Sequence, residues 1–322
     1  MTKKEIGPRV SDLYDNYCHG KIDRREFLVK LSSLGFLCSL SFDIPARENL
    51  PRRPVPGNDE LLPVIGLGST KPVRQISAKG TEPLEKVIRT LLSYGGKVID
   101  TSPRPESIDA EFGHVLNMAD FRDALFIAAK INATGKDAGI AQFRQTQRLF
   151  ARRTLDLVQI ESLTDLKTHW PSLREWQDAG EARYIGVTVS HEEKYQTLES
   201  FMQRESPDFV QLNYSVMETL AEARLLPIAQ ERGIAVLVNG PFMNGEYFER
   251  TSGHKLPDWA GEFDCASWAQ FSLKYILANS AVTCVLTETT NPGHMEENIQ
   301  AAFGRLPDDA MKQRMREFAQ RL

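Results

Sequence analysis

Three ionisable side chains stand directly after short apolar runs, where a strand would end. Asp100 closes Lys97-Val98-Ile99, Lys130 closes Phe126-Ile127-Ala128-Ala129, and Glu161 follows Leu157-Val158-Gln159-Ile160. Thr188, Gln211 and Asn239 close three further runs in the same way. An acid and a lysine at the ends of adjacent strands can pair out of water, either to order the structure or to tune proton transfer at a neighbouring group. The spacing alone leaves both roles open.

The elements that must position these groups are visible in the pattern. β-rich runs fall at 63–67, 97–100, 125–130, 157–160, 184–188, 209–212, 235–239 and 283–286. Between them lie segments with apolar residues three and four apart, such as Leu84, Val87, Ile88, Leu91 and Leu92, or Leu220, Ala223, Leu226 and Ile228. Near-continuously apolar strands alternating with helices belong in a parallel sheet covered by helices. Eight such units over about 240 residues predict an α/β fold of the (β/α)₈ TIM-barrel type. An open doubly wound sheet would need a Gly-x-Gly-x-x-Gly turn and a helix after its first strand. Gly66-Leu67-Gly68-Ser69-Thr70-Lys71 lacks the third glycine. In a barrel, chemistry gathers at the C-terminal ends of the strands, where the polar residues above stand.

Composition excludes several other classes. The 322 residues are 41% hydrophobic and 25% charged, with a formal net charge of −4. These values exclude a disordered or collagenous chain. A pI near 6.0 argues against nucleic acid as a partner, because phosphate binding depends on clustered Lys and Arg. No apolar run approaches the roughly 20 residues of a membrane span. The four cysteines form no Cys-x-x-Cys pair, and the six histidines show no zinc-binding spacing. The sequence therefore predicts no metal site.

The first segment reads as an address. Asp23-Arg24-Arg25-Glu26-Phe27-Leu28 precedes a short, serine-containing apolar stretch at 31–42, an order that resembles a twin-arginine export signal. The expected organisation is a signal or N-terminal extension at 1–45, a Pro- and Arg-rich linker at 46–60, and a barrel at 61–322. Export would involve the twin-arginine machinery and deliver the protein to the periplasm. The alternative is an amphipathic helical extension on a cytoplasmic protein, since Phe27, Leu28, Leu31, Leu34 and Leu37 recur at roughly helical spacing.

Five motifs carry a resemblance over nearly all of 61–303. They are Leu62-Pro63-Val64-Ile65-Gly66-Leu67-Gly68, Val98-Ile99-Asp100-Thr101-Ser102-Pro103, Arg183-Tyr184-Ile185-Gly186-Val187-Thr188, Phe209-Val210-Gln211-Leu212-Asn213-Tyr214-Ser215 and Asn291-Pro292-Gly293-His294-Met295-Glu296-Glu297-Asn298. In this order they resemble the landmarks of the aldo/keto reductase family. The resemblance implies a barrel that binds NADH or NADPH across its C-terminal mouth and passes hydride to a small carbonyl substrate.

The family's catalytic set of Asp, Tyr, Lys and His carries over unevenly. Asp100 and Lys130 match the aspartate and the lysine, whereas the tyrosine position holds Pro105 and the histidine position holds Glu161. A positioned acid accelerates carbonyl reduction by about 10²- to 10⁴-fold, and proline has no proton to give. A neutral carboxylic acid can donate to a developing oxyanion, which makes Glu161 the candidate replacement. The competing expectation is that Glu161 pairs with Lys130 and the chemistry is lost.

The implied cofactor contacts are also mixed. Gln211 matches the residue that holds the nicotinamide carboxamide, Thr188 stands where the family has serine, and Asn239 begins an altered strand-seven loop. Glu288 falls at the adenosine-phosphate position, where its charge would repel a 2′-phosphate and favour NADH. His294 occupies the place of a basic phosphate ligand, and Glu297 and Asn298 match an adenine-contacting pair. Two functions follow as expectations: an oxidoreductase with a remodelled proton donor, or a catalytically silent barrel that binds a dinucleotide or another small ligand.

The export reading has a direct test. Changing Arg24 and Arg25 together to Lys should hold a fused reporter in the cytoplasm, and fractionation that finds equal periplasmic delivery with both residues changed rejects it.

Overall fold

The computed structural model describes residues 48–322, together with the isolated helical positions Leu13, Asn16, Glu26 and Lys30. The chain divides into two units, 1–46 and 47–322. In the first, Glu26 and Lys30 form an ion pair of 2.7 Å one helical turn apart. Arg24-Arg25 and the apolar stretch at 31–42 lie outside the described residues.

The second unit opens with a hairpin of β1 (Arg52–Pro54) and β2 (Leu61–Pro63), paired antiparallel. Eight parallel strands then close a barrel: β3 (Ile65–Gly68), β4 (Val98–Asp100), β5 (Phe126–Ile131), β6 (Leu155–Glu161), β7 (Ala182–Val189), β8 (Phe209–Asn213), β9 (Ala235–Asn239) and β10 (Val282–Thr287). Each pairs with its chain neighbours, and β10 returns to β3. The helices used below are α1 (Thr70–Arg74), α2 (Ile76–Lys79), α3 (Glu82–Ser93), α4 (Glu106–Leu116), α5 (Lys136–Leu149), α6 (Leu166–Asp178), α7 (Tyr195–Arg204), α8 (Leu225–Arg232), α9 (Glu246–Thr251), α10 (Trp268–Leu277), α11 (Pro292–Gln300) and α12 (Asp309–Ala319).

All eight predicted runs lie in the barrel, with two corrections at the edges. The run at 63–67 is split, because Pro63 ends β2 and the barrel strand starts at Ile65. Regular structure begins before residue 61, since β1 falls inside the stretch expected to be a linker. This strand is held from outside itself. The Arg53 guanidinium donates to the backbone oxygens of Leu277, at the end of α10, of Asn279 just beyond it (2.8 Å), and of Val282, where β10 begins. The helical pattern at 220–228 is also divided, into a 3₁₀ turn at Leu220–Ala223 and α8, with a non-helical Arg224 between them.

Side-chain alternation explains how the strands build a site. Val98, Phe126, Leu157, Tyr184, Phe209, Leu237 and Leu286 share one buried cluster with Val55 and Leu62 of the hairpin. Successive strand side chains face opposite ways, so residues an even number of places further along face the same interior. Those residues are Asp100, Lys130, Glu161, Thr188, Gln211, Asn239 and Glu288. The opposite parity, including Ile99, Ile127, Val158, Val187, Val210 and Val238, belongs to the larger core under the helices. Gly186 faces the interior where strands approach closely: a Cβ there would lie 2.4 Å from the Phe209 carbonyl oxygen.

One half-buried acid ties the outer layer together. Glu222 accepts hydrogen bonds from the Tyr214 hydroxyl, from Tyr275 of α10 (2.7 Å) and from Arg316 of α12 (2.8 Å), and pairs with Lys312 at 3.1 Å. Burial alone would raise its proton affinity, but the tyrosine hydrogen bonds and the Lys312 charge overcome that and hold the carboxyl below its ordinary range. Its stabilising contribution is thus complete above the unfolded-state pKa and is lost as pH falls through the folded value. Glu222→Gln should cost roughly 1–3 kcal/mol at pH 7, the range for hydrogen bonds to charged groups. Urea denaturation from pH 7 down to pH 3.5 should show the difference from wild type shrinking below about pH 4.5.

Candidate active site

The C-terminal ends of the barrel strands open into a cavity of about 560 Å³. At its floor the Lys130 ammonium donates to both Asp100 oxygens at 2.6 Å and reaches the Thr101 carbonyl at 3.5 Å. The side chains are only 4% and 11% exposed. The lysine is thereby committed to Asp100.

Glu161 is held by other partners, which corrects the expectation that it pairs with Lys130. Ser102 donates its hydroxyl to one carboxylate oxygen at 2.8 Å, and the Asn132 amide donates to the other at 2.6 Å. Asn132 is in turn fixed by Gln142 of α5, whose amide nitrogen donates to its side-chain oxygen at 2.9 Å and whose own oxygen accepts its backbone N–H at 2.8 Å. After Glu161 the chain turns sharply, with Ser162, Leu163 and Asp165 all at positive φ. Asp165 anchors that turn by accepting the Gly135 N–H and the Thr168 hydroxyl, and these bonds hold its carboxyl below the ordinary range.

The loop after β4 is pinned from beneath. The nearly buried Arg104 guanidinium donates to Thr101 (2.8 Å), Ser69 (3.1 Å) and Asp109 (3.4 Å). Burial lowers the proton affinity of Arg104 and raises that of Asp109, while their mutual attraction opposes both shifts. Pro105 follows as the exposed N-cap of α4 and is not among the residues that line the cavity.

Along the opposite wall runs a chain of amides. Gln159 donates to the Gln211 side-chain oxygen at 2.7 Å, Gln211 donates to Asn239 at 2.5 Å, and Asn239 donates to Ser190 at 3.3 Å. Thr188 lines the same wall. At the far rim Glu288 accepts the backbone N–H of Lys71, at the start of α1, at 2.7 Å. The loop at 240–245 forms the remaining side, with Met243 and Asn244 in the left-handed region. Phe242 and Phe248 pack there as a tilted pair, with centroids 4.9 Å apart and ring planes at 43°. Glu218 and Glu246 also reach the lining, and burial followed by the charges of Glu192 and Glu246 raises the proton affinity of Glu218.

Seven of the ten predicted residues thus meet in one cavity: Asp100, Lys130, Glu161, Thr188, Gln211, Asn239 and Glu288. His294, Glu297 and Asn298 lie apart from that lining on α11, where His294 is exposed and Asn298 is buried. In the sequence Ser102 is visible only as part of the motif after Asp100, and no local pattern marks Asn132, Ser190, Phe242 or Phe248. Parity along the strands could have flagged Gln159, which shares its interior face with Leu157 and Glu161.

With the geometry in view, the comparisons decide the family. The pattern described as the aldo/keto reductase family matches residues 64–317. The chain belongs to the aldo/keto reductase family. Members are NAD(P)H-dependent reductases of small carbonyl compounds. A separate pattern, described as YqhI-like, matches residues 1–34. The "NADH-specific methylglyoxal reductase" of Escherichia coli (strain K12) is 26% identical over 211 residues, with 52% of this chain covered and 63% of that protein. The chain thus matches under two thirds of that curated relative's length. In structure, glycerol dehydrogenase AKR11B4 from Gluconobacter oxydans superposes with a TM-score of 0.70 at 18% identity, over 84% of this chain and 95% of that one. An aldo-keto reductase from Klebsiella pneumoniae in complex with NADPH gives 0.67 at 18% identity, over 85% and 95%. At such identity these two likenesses speak for the fold alone.

The Asp100–Lys130 pair makes a stability prediction. Removing one partner leaves an uncompensated buried charge, so Lys130→Met should cost about 3–5 kcal/mol in urea denaturation. Asp100→Leu/Lys130→Met should be less destabilised than Lys130→Met alone, because neither charge is stranded.

Proposed function

We propose that the protein is an NADH-preferring oxidoreductase that reduces a small carbonyl compound, with Glu161 supplying the proton in place of the missing phenol. The observation that carries this reading is that Asp100, Lys130 and Gln211, all at their family positions, meet Glu161 in one cavity. The match to an NADH-specific relative supports both the cofactor and the substrate class.

The residues present fit the nicotinamide half of a dinucleotide. Gln211, Thr188 and Asn239 line one wall, and Gln211 keeps one amide proton and one lone pair beyond its internal bonds. They would hold the carboxamide, and the bound reduced cofactor supplies the hydride. At the other end Glu288 brings a negative charge to the rim, which disfavours a 2′-phosphate and supports NADH over NADPH. The Lys130 ammonium stabilises negative charge on the substrate oxygen, while Asp100 keeps that ammonium oriented. Glu161 is the group placed to give a proton to that oxygen, and Ser102 and Asn132 orient its carboxyl. Phe242 and Phe248 give one side of the cavity an apolar face. With the twin-arginine-like segment ahead of the barrel, this activity would be delivered to the periplasm.

One observation favours the second reading, a catalytically silent barrel that binds a dinucleotide or another small ligand. The phenol's place is taken by an exposed proline that is not among the residues lining the cavity, and both Glu161 oxygens already accept hydrogen bonds.

Two measurements separate the readings. Calorimetric titration should find NADH bound more tightly than NADPH. Steady-state NADH oxidation with a reactive aldehyde should proceed at least about 10²-fold more slowly than in a family member with its phenol, and Glu161→Gln should abolish it. Pro105→Tyr/Glu161→His should raise the rate if the loop admits the phenol. Cofactor binding without turnover in wild type or in either variant would establish the silent barrel.

A further inference from the structure

A second depression, of about 460 Å³, is lined by Arg144, Gln147, Arg148, Ala151, Arg152 and Arg153. Its distance from the active site follows from the chain. Arg153 stands two residues before Leu155, where β6 begins, and Glu161 closes the same strand. At about 3.3 Å per residue, β6 puts roughly 20 Å between its two ends. The depression therefore sits at the N-terminal end of the barrel, and an occupant there leaves the mouth open.

A turn built for the purpose gathers the arginines. Arg144 and Arg148 lie one helical turn apart on α5 and share a flank. Beyond the helix Ala151 takes a φ of 47°, uncommon for a residue with a Cβ, and the Arg152 N–H then donates back to the Gln147 carbonyl at 3.0 Å. The Gln147 side chain spans the turn, accepting from Arg144 at 2.8 Å and donating to the Arg153 carbonyl at 2.5 Å. The Arg152 guanidinium reaches across to the Arg122 carbonyl at 2.5 Å, which sets a fifth arginine beside the others.

Acids do not balance this charge. Glu181 takes up Arg144 with both oxygens, at 2.6 and 2.9 Å. Asp156 lies 3.7 Å from Arg152 but 2.8 Å from Arg183, so it is shared, and the Arg152 Nε is buried with no acceptor among the described residues. The guanidinium groups of Arg122, Arg148 and Arg153 are exposed and have no ion pair or hydrogen bond among the described residues. The helix dipole accounts for one of them at most, because the C-terminus of α5 carries only about half a negative charge. In a chain of net charge −4, such crowding of one sign is a repulsion that a bound anion relieves. Guanidinium forks match the paired oxygens of a phosphate.

We propose that this depression binds a phosphate-bearing anion through Arg148, Arg152 and Arg153, at the end of the barrel opposite the active site. The site is independent of the cofactor and of the reaction. Two carriers present the group, a soluble phosphoester and the headgroups of an anionic bilayer, and the experiment has an arm for each. Calorimetric titration with inorganic pyrophosphate in a phosphate-free buffer of low ionic strength should show binding by the full chain. Arg148→Gln/Arg153→Gln should weaken it by at least about tenfold, the loss of one charge-assisted contact or more. The melting temperature should hold, since both side chains are exposed. Arg204→Gln/Arg232→Gln removes the same charge from exposed positions elsewhere and should change the affinity by less than about twofold.

In the second arm the protein is sedimented with vesicles of phosphatidylglycerol and phosphatidylcholine. Sedimentation lost in Arg148→Gln/Arg153→Gln would assign the site to a bilayer, and pyrophosphate binding without sedimentation would assign it to a soluble anion. The proposal is overturned if wild type binds neither probe, if binding survives Arg148→Gln/Arg153→Gln, or if Arg204→Gln/Arg232→Gln weakens it equally.

Discussion

The ion pair between Lys130 and Asp100 is the constraint around which the upper barrel is arranged. Two opposite charges sit inside a ring of strands, nearly cut off from water, and each makes the other tolerable there. Because the ammonium spends its protons on Asp100, Glu161 must look outward for partners and finds them in Ser102 and Asn132. Polar groups at the mouth are consequently divided into two systems, one charged and centred on the lysine, the other built from neutral amides between β6 and β9.

Stability and reactivity are separated along the barrel axis. The lower interior is filled by aromatic and aliphatic side chains and stoppered by Val55 and Leu62 of the hairpin. Polar residues appear on the same inward-facing positions only towards the strand ends. The substitution of proline for the phenol belongs to the loop after β4 and leaves this frame intact, since Arg104 fixes the loop through groups that take no part in the cavity. A barrel of this kind can lose or exchange a proton donor without losing its architecture.

Much of this was legible in the chain because strand alternation and helical spacing are local properties. The eight runs, the inward parity of Asp100, Lys130 and Glu161, and the family landmarks all follow from residues within a few places of one another. What stayed hidden depends on distant partners. Strand β1 has neither alternation nor length to announce it, and exists because Leu61–Pro63 and the carbonyls near the end of α10 are brought to it. Charge alone allows Glu161 to pair with Lys130, whereas in the fold Asp100 claims that lysine on both oxygens. The separation of α11 from the cavity lining likewise depends on where a helix packs, which motif order does not encode.

Gln142 lies on the flank of α5, only partly buried, yet it grips Asn132 through two hydrogen bonds, and Asn132 grips Glu161. The carboxylate at the mouth is thus steered from the outer shell of the protein. Natural drift at a single half-exposed helical position can retune this group while every residue facing the cavity stays the same, so divergence in chemistry among such barrels need not leave its mark on the walls of the cavity at all.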